Sequence, residues 1–150
     1  MRNLGTILIR LIAVYLMCFS LPGLAVESLA LVTHPSSNLN SLSLETIKLV
    51  YLRKLMLASD GSRWIPLNLP STHELRRAFS ISLFKKLPEE QESYWNEQYF
   101  QGLTPPQVLA SEEAVLRFVA ITPGALGYVQ KHSVDDRVKV LQIISIADLN

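Results

Sequence analysis

The chain alternates apolar runs with loop chemistry from residue 29 onward. Leu29 to Thr33 (LALVT) is a continuous apolar run with a β-branched end, which predicts a buried strand. His34-Pro35-Ser36-Ser37-Asn38 follows as a loop. Ser43 then stands as the N-cap of a helix with Glu45 in its first turn, where the helix dipole favours an acid. Leu44, Ile47, Val50 and Tyr51 share one face at helical spacing and carry that helix to about Lys54. Ser59-Asp60-Gly61-Ser62 is a tight-turn signal. Trp64 to Leu69 (WIPLNL) alternates like a strand with one buried face, and Pro66 places its early part at an edge or bulge. Ser71 and Glu74 match a capping box, so a helix is expected from Ser71, lined on one side by Leu75, Phe79, Leu83 and Phe84.

Glu89 to Phe100 reads as a further helix, with Tyr94, Trp95 and Tyr99 as an aromatic stripe and Gly102 as its stop. Thr104-Pro105-Pro106 predicts a short helical turn. Ser111-Glu112-Glu113 caps a longer helix whose apolar face is Val115, Leu116, Phe118 and Val119. Thr122-Pro123-Gly124 ends it. Ala125 to Val129 and Val138 to Ile144 read as strands, with a polar loop from Lys131 to Arg137 between them. The expected order is strand, helix, strand, three helices, strand, strand. Such early alternation favours an α/β fold with some parallel pairing. No internal repeat, low-complexity stretch or interdomain linker interrupts it.

The first 25 residues read differently. Arg2 and Arg10 precede an uncharged apolar run, Leu11 to Leu21, which Pro22-Gly23 breaks. Gly23 and Ala25 put small residues at −3 and −1 of a cut after Ala25, the layout of a secretory signal peptide. The run is shorter than the roughly 20 residues a bilayer span needs. An uncleaved anchor and a lipoprotein at Cys18 are the competing readings, and Met17 is too bulky for the second. The working protein is then Val26 to Asn150, periplasmic or otherwise secreted, with no membrane span after cleavage. It keeps no cysteine, so it has no disulfide and no thiolate metal site or nucleophile. About 125 residues support one core and not two. Without Arg2 and Arg10, twelve Lys and Arg face 13 Asp and Glu, one net negative charge. That balance marks no nucleic-acid partner.

Catalytic chemistry finds little footing. His34, His73 and His132 are far apart, with no partner at metal-ligand spacing, and no cofactor is implied. The nucleophile-elbow, P-loop and dinucleotide fingerprints are absent. Glu89, Glu90 and Glu92 read as a solvated, dipole-matched helix start. The expectation is a protein that is not an enzyme. The most suggestive stretch is Leu69 to Arg77, where a strand runs into a helix start that carries the hydroxyls of Ser71 and Thr72. A helix N-terminus offers unpaired N–H groups and partial positive charge to an anion, and Arg76 and Arg77 add cationic charge. Plain capping beside two solvated arginines is the competing reading. The hydroxyl-rich segment His34 to Ser37, with Ser41 and Ser43, is a weaker candidate of the same kind. Trp64, Trp95 and Tyr99 are either core or a ligand and partner surface.

Taken together, LALVTHPSSNLNSLS, ETIKLVYLRK with DGSRWIPLNLP, YWNEQYFQG with its prolines, and VLRFVAITPGALGYV resemble the phosphate-binding-protein-like family. These are the periplasmic substrate receptors of phosphate ABC transporters. The likeness spans about Leu29 to Val129. It implies a single lobe, over residues 26–150, of a type II periplasmic-binding-protein-like fold: a small mixed sheet flanked by helices. Complete members have two lobes and about twice this length. Two motifs depart from the family. Its Ser-Gly-Thr phosphate grip reads Pro70-Ser71-Thr72-His73-Glu74, and its Phe/Tyr-Leu-Gly-Lys turn reads Tyr51-Leu52-Arg53-Lys54, with Arg53 in the glycine's place.

The resemblance implies a secreted solute-binding domain that takes phosphate or a similar oxyanion weakly. Ser71, Thr72, Arg76 and Arg77 would hold it, with His34, Ser36 and Ser37 contributing from the first loop. The alternative is a periplasmic interaction or sensory module that has lost transport-type binding and instead binds an envelope protein or a second copy of itself.

Overall fold

The first apolar run forms β1 (Ser28–Thr33) in a computed structural model that describes residues 28–146. The predicted signal segment and its cut after Ala25 lie outside the described residues. The remaining elements are α1 (Leu44–Tyr51), β2 (Ile65–Asn68), α2 (Glu74–Phe84), α3 (Glu92–Phe100), β3 (Gln107–Val108), α4 (Glu112–Ile121), β4 (Ala125–Gln130) and β5 (Lys139–Ser145). A 3-10 turn, Pro88–Gln91, leads into α3, and another, Lys131–Ser133, leaves β4. Among the described residues, no helix is long and apolar enough to cross a membrane.

The strands form one mixed sheet in the order β3-β2-β4-β1-β5. β2 runs parallel to β3 and β4, while β1 is antiparallel to both β4 and β5. It follows that β2, β3, β4 and β5 point one way and β1 alone points the other. Strand alternation along β4 sets the layers. Gly127 lies against Val115 and Val119 of α4, while Tyr128 packs against Phe79 of α2 and Tyr51 of α1. Helices therefore cover both faces, and β1, β2 and β4 are buried almost throughout. The second predicted strand accordingly has no solvated face. Pro66 pairs with Leu126 on one side, but β3 reaches only Leu67 and Asn68, so Pro66 does sit where β2 is a local edge.

Two predicted caps are present. Ser43 Oγ accepts from the Thr46 amide at 3.1 Å, and Ser111 Oγ from the Ala114 amide at 3.2 Å. Three expectations need correction. The first helix stops at Tyr51, because Arg53 turns left-handed at φ 60°. Thr104-Pro105-Pro106 makes no helical turn; it feeds the two-residue edge strand β3. Ser71 does not cap α2. The His73 amide donates to the Pro70 carbonyl at 2.9 Å and closes a turn that spends Ser71 and Thr72 before the helix begins. The cap is His73, whose Nδ1 accepts from the Leu75 amide at 3.2 Å. His73→Ala is accordingly expected to destabilise by about 1 kcal/mol, and Ser71→Ala by far less. Urea midpoints of the two variants check this, and a larger loss from Ser71→Ala would return the cap to Ser71.

Candidate functional site

The carboxyl ends of β2, β3 and β4 lie together at one end of the sheet. This is where an open α/β sheet leaves a crevice, because its helices start there. Two helix N-termini arrive at it, those of α2 after β2 and α4 after β3. In the first turn of α2 the Leu75 amide is taken by His73, but the amides of Glu74 and Arg76 hydrogen-bond to no described residue. At the end of β4, the Gln130 amide donates to a carboxylate oxygen of Glu112 at 2.6 Å.

Beneath the α2 N-terminus sits a polar network. Arg76 is only 8% exposed, and its Nη1 donates to Asn68 Oδ1, the last side chain of β2. The same oxygen accepts from the Tyr128 hydroxyl at 3.2 Å, and that hydroxyl accepts from the Leu69 amide at 3.2 Å. Tyr51 donates to the Leu126 carbonyl at 3.1 Å. Burial pushes the Tyr128 phenol up and the Tyr51 phenol well up, the latter reinforced by Tyr128, so both remain neutral donors. Neither balances Arg76. Among the described residues, no carboxylate lies within ion-pair distance of that guanidinium. A buried cation held only by a neutral amide is costly, and an anion at its exposed side would offset the cost.

The seven residues singled out from sequence do not form one site. Ser71 and Thr72 are exposed at the α2 end, with Arg76 beneath them. Arg77 points elsewhere, where its two terminal nitrogens bind the Glu89 carboxylate at 3.1 Å each and tie α2 to the following turn. Its charge is taken. His34, Ser36 and Ser37 lie at the opposite end of the sheet, because β1 runs antiparallel to its neighbours. There His34 Nδ1 and Ser36 Oγ are 2.8 Å apart, and Lys139 Nζ donates to the Ser37 carbonyl at 2.9 Å. Asp60 shares their small pocket. Ser62 donates to it from both amide and hydroxyl, which lowers the Asp60 pKa and keeps a negative charge in the pocket.

The aromatic candidates also separate. Trp64 packs in the core, at 4% exposed, and borders the surface only through the clefts beside it. Trp95 is half-buried against Tyr94, whose hydroxyl donates to the Leu52 carbonyl at 2.7 Å. Helix α3 buries no residue, so Tyr99 is on the surface rather than in the core. What sequence reasoning missed is Asn68 and the burial of Arg76. Arg76 shares its helical stripe with Leu75, Phe79, Ser80 and Leu83, all buried. Among the described residues, no group of three or more His, Cys, Asp or Glu side chains could hold a metal.

This geometry, a mixed five-stranded sheet covered by helices on both faces, is that of one lobe of a type II periplasmic-binding-protein-like fold. Solved structures bear this out. A protein assigned as a phosphate ABC transporter substrate-binding protein from Clostridium perfringens, with bound phosphate, superposes with a TM-score of 0.63 at 22% identity. The match covers 78% of this chain and 46% of that one. An ABC-type phosphate transport receptor from Vibrio cholerae matches with a TM-score of 0.59 at 17% identity over 78% of this chain and 47% of its own. PstS from Borrelia burgdorferi gives 0.59 and 17% over 77% and 47%. This chain thus spans about half the length of each, one lobe's worth. No family model and no curated protein matches the chain by sequence.

Proposed function

We propose that this chain is an exported solute-binding lobe that takes phosphate or a similar oxyanion at the N-terminus of α2. The observation that carries the reading is Arg76, a nearly buried guanidinium with a neutral partner only, beneath two unpartnered helix amides. Ser71 and Thr72 would add hydroxyl donors from the turn above it. The neighbours of like fold are phosphate transport receptors, one of them with phosphate bound, which supports the choice of first ligand. Export rests on the Arg2/Arg10 flank, the Leu11 to Leu21 run and Ala25. Mass spectrometry of protein recovered from the envelope should find Val26 at the N-terminus, and a product retaining Met1 would contradict export with cleavage.

A single lobe leaves the ion wet on one side, so the dissociation constant should be on the order of 1 mM, about −4 kcal/mol. Calorimetry with phosphate tests the assignment. Arg76→Gln should abolish the signal, while Arg77→Gln and His34→Ala should leave it intact, since Arg77 is paired with Glu89 and His34 lies at the far end of the sheet. Equal losses from Arg76→Gln and Arg77→Gln would contradict this division of roles. No heat at tens of millimolar phosphate would remove the reading.

A further inference from the structure

At the other end of the sheet, where β2 begins, an open cleft of about 540 Å³ lies between the end of α1 and the segment entering β3. Arg53, Arg63 and Trp64 line one side, and Thr104, Pro105 and Pro106 the other. Three features set it apart from an ordinary surface groove. Among the described residues, neither arginine pairs with a carboxylate. The Nε of Arg53 and the indole Nε1 of Trp64 are buried N–H donors with no hydrogen-bond partner. Such orphaned donors are rare in folded proteins and call for an acceptor. Arg53 also holds a left-handed backbone, φ 60°, at the position just past a helix end where glycine is favoured. A bulky cation is kept there against backbone preference, which is how strain is placed at binding sites. Burial first, and then the like charge of Arg63, lower the Arg53 pKa. An anion between the two would relieve both.

We infer that this cleft is a second ligand site, which takes a small organic anion. The two arginines would hold its carboxylate or phosphate group, with the Trp64 indole as a further donor, and the Pro105-Pro106 wall would face its apolar body. Guanidinium forks match carboxylate and phosphate oxygens. The cleft volume is in the range that small-molecule sites occupy, roughly 300–1,000 Å³. The site is independent of the oxyanion site at α2, since it lies at the amino rather than the carboxyl end of β2.

Phenyl phosphate is a suitable probe, read by the indole N–H signal of Trp64 in two-dimensional NMR. A Trp95→Phe background leaves Trp64 as the one tryptophan among the described residues. The Trp64 signal should shift saturably with phenyl phosphate, several-fold less readily with inorganic phosphate, and not with benzyl alcohol. Arg53→Gly should weaken binding by about tenfold or more through loss of a charge-assisted contact. Its urea midpoint should be unchanged or raised, because glycine suits that backbone, so unfolding would not explain the loss. Arg63→Gln should weaken binding too, and Arg76→Gln should not. A Trp64 signal unmoved at tens of millimolar phenyl phosphate would overturn the inference. So would an equal response to benzyl alcohol, or full binding by Arg53→Gly.

Discussion

Gly124→Ala is expected to be the most damaging single-methyl change in this protein, at about 3–5 kcal/mol. Gly124 sits at φ 83°, and a Cβ there would lie 2.3 Å from the backbone carbonyl oxygen of Arg63. A backbone atom cannot rotate away as a side chain can. The contact lies where β4 meets β2, with the Ile65 amide donating to the Gly124 carbonyl at 2.9 Å. Relief of the clash therefore means parting β2 from β4 at their amino ends. Gly61→Ala is the internal control. Gly61 is at φ 82° with nothing within 4 Å of its would-be Cβ, so it carries only the left-handed penalty, about 1–2 kcal/mol. Chemical denaturation of the pair separates the two terms, and equal midpoints would show that the Arg63 contact relaxes freely.

Phe79→Ala should cost about 3–5 kcal/mol. Phe79 is fully buried between two tyrosines. It stacks on Tyr128 with ring centroids 4.0 Å apart and meets Tyr51 edge-on at 4.7 Å. These contacts add to the area it buries. They also fix α2 against β4, and α2 carries Arg76 over Asn68. The variant should lose cooperative unfolding strength and, in the fraction still folded, hold phosphate more weakly. Phe79→Leu, which refills most of the volume, should recover most of the stability. A Phe79→Ala midpoint within 1 kcal/mol of wild type (about 0.7 of a pKa unit in the same currency) would mean the trio collapses onto the gap without loss.

Much of the architecture was legible because burial here follows periodicity. Leu29 to Val32 has no polar position, as suits a strand covered on both faces, and Leu75, Phe79 and Leu83 show the buried stripe of α2 directly. The misses have local causes. β3 is two exposed residues after Pro105-Pro106, so no apolar run announces it. His73 caps α2 with an imidazole nitrogen, whereas the usual signal is a hydroxyl or carboxylate. Tyr99 fits an apolar stripe, yet α3 packs too little for the stripe to be buried. The candidate site was half visible. Strand directions are not written in spacing, so nothing in the sequence shows that β1 reverses and carries His34, Ser36 and Ser37 to the far end. Arg76 and Arg77 are equivalent as adjacent basic residues. Only their helical phase differs, and Arg76 shares its phase with Phe79, Ser80 and Leu83.

The most direct test of the oxyanion site is a phosphate titration followed by amide NMR on residues 26–150. The Glu74 and Arg76 amides should shift first and furthest, with the Ser71 and Thr72 signals moving with them. Added salt should weaken the response, because the ion is only partly enclosed. Arg76→Gln should erase it. Shifts confined to His34, Ser36 and Ser37, or a full response retained in Arg76→Gln, would contradict a site at the N-terminus of α2.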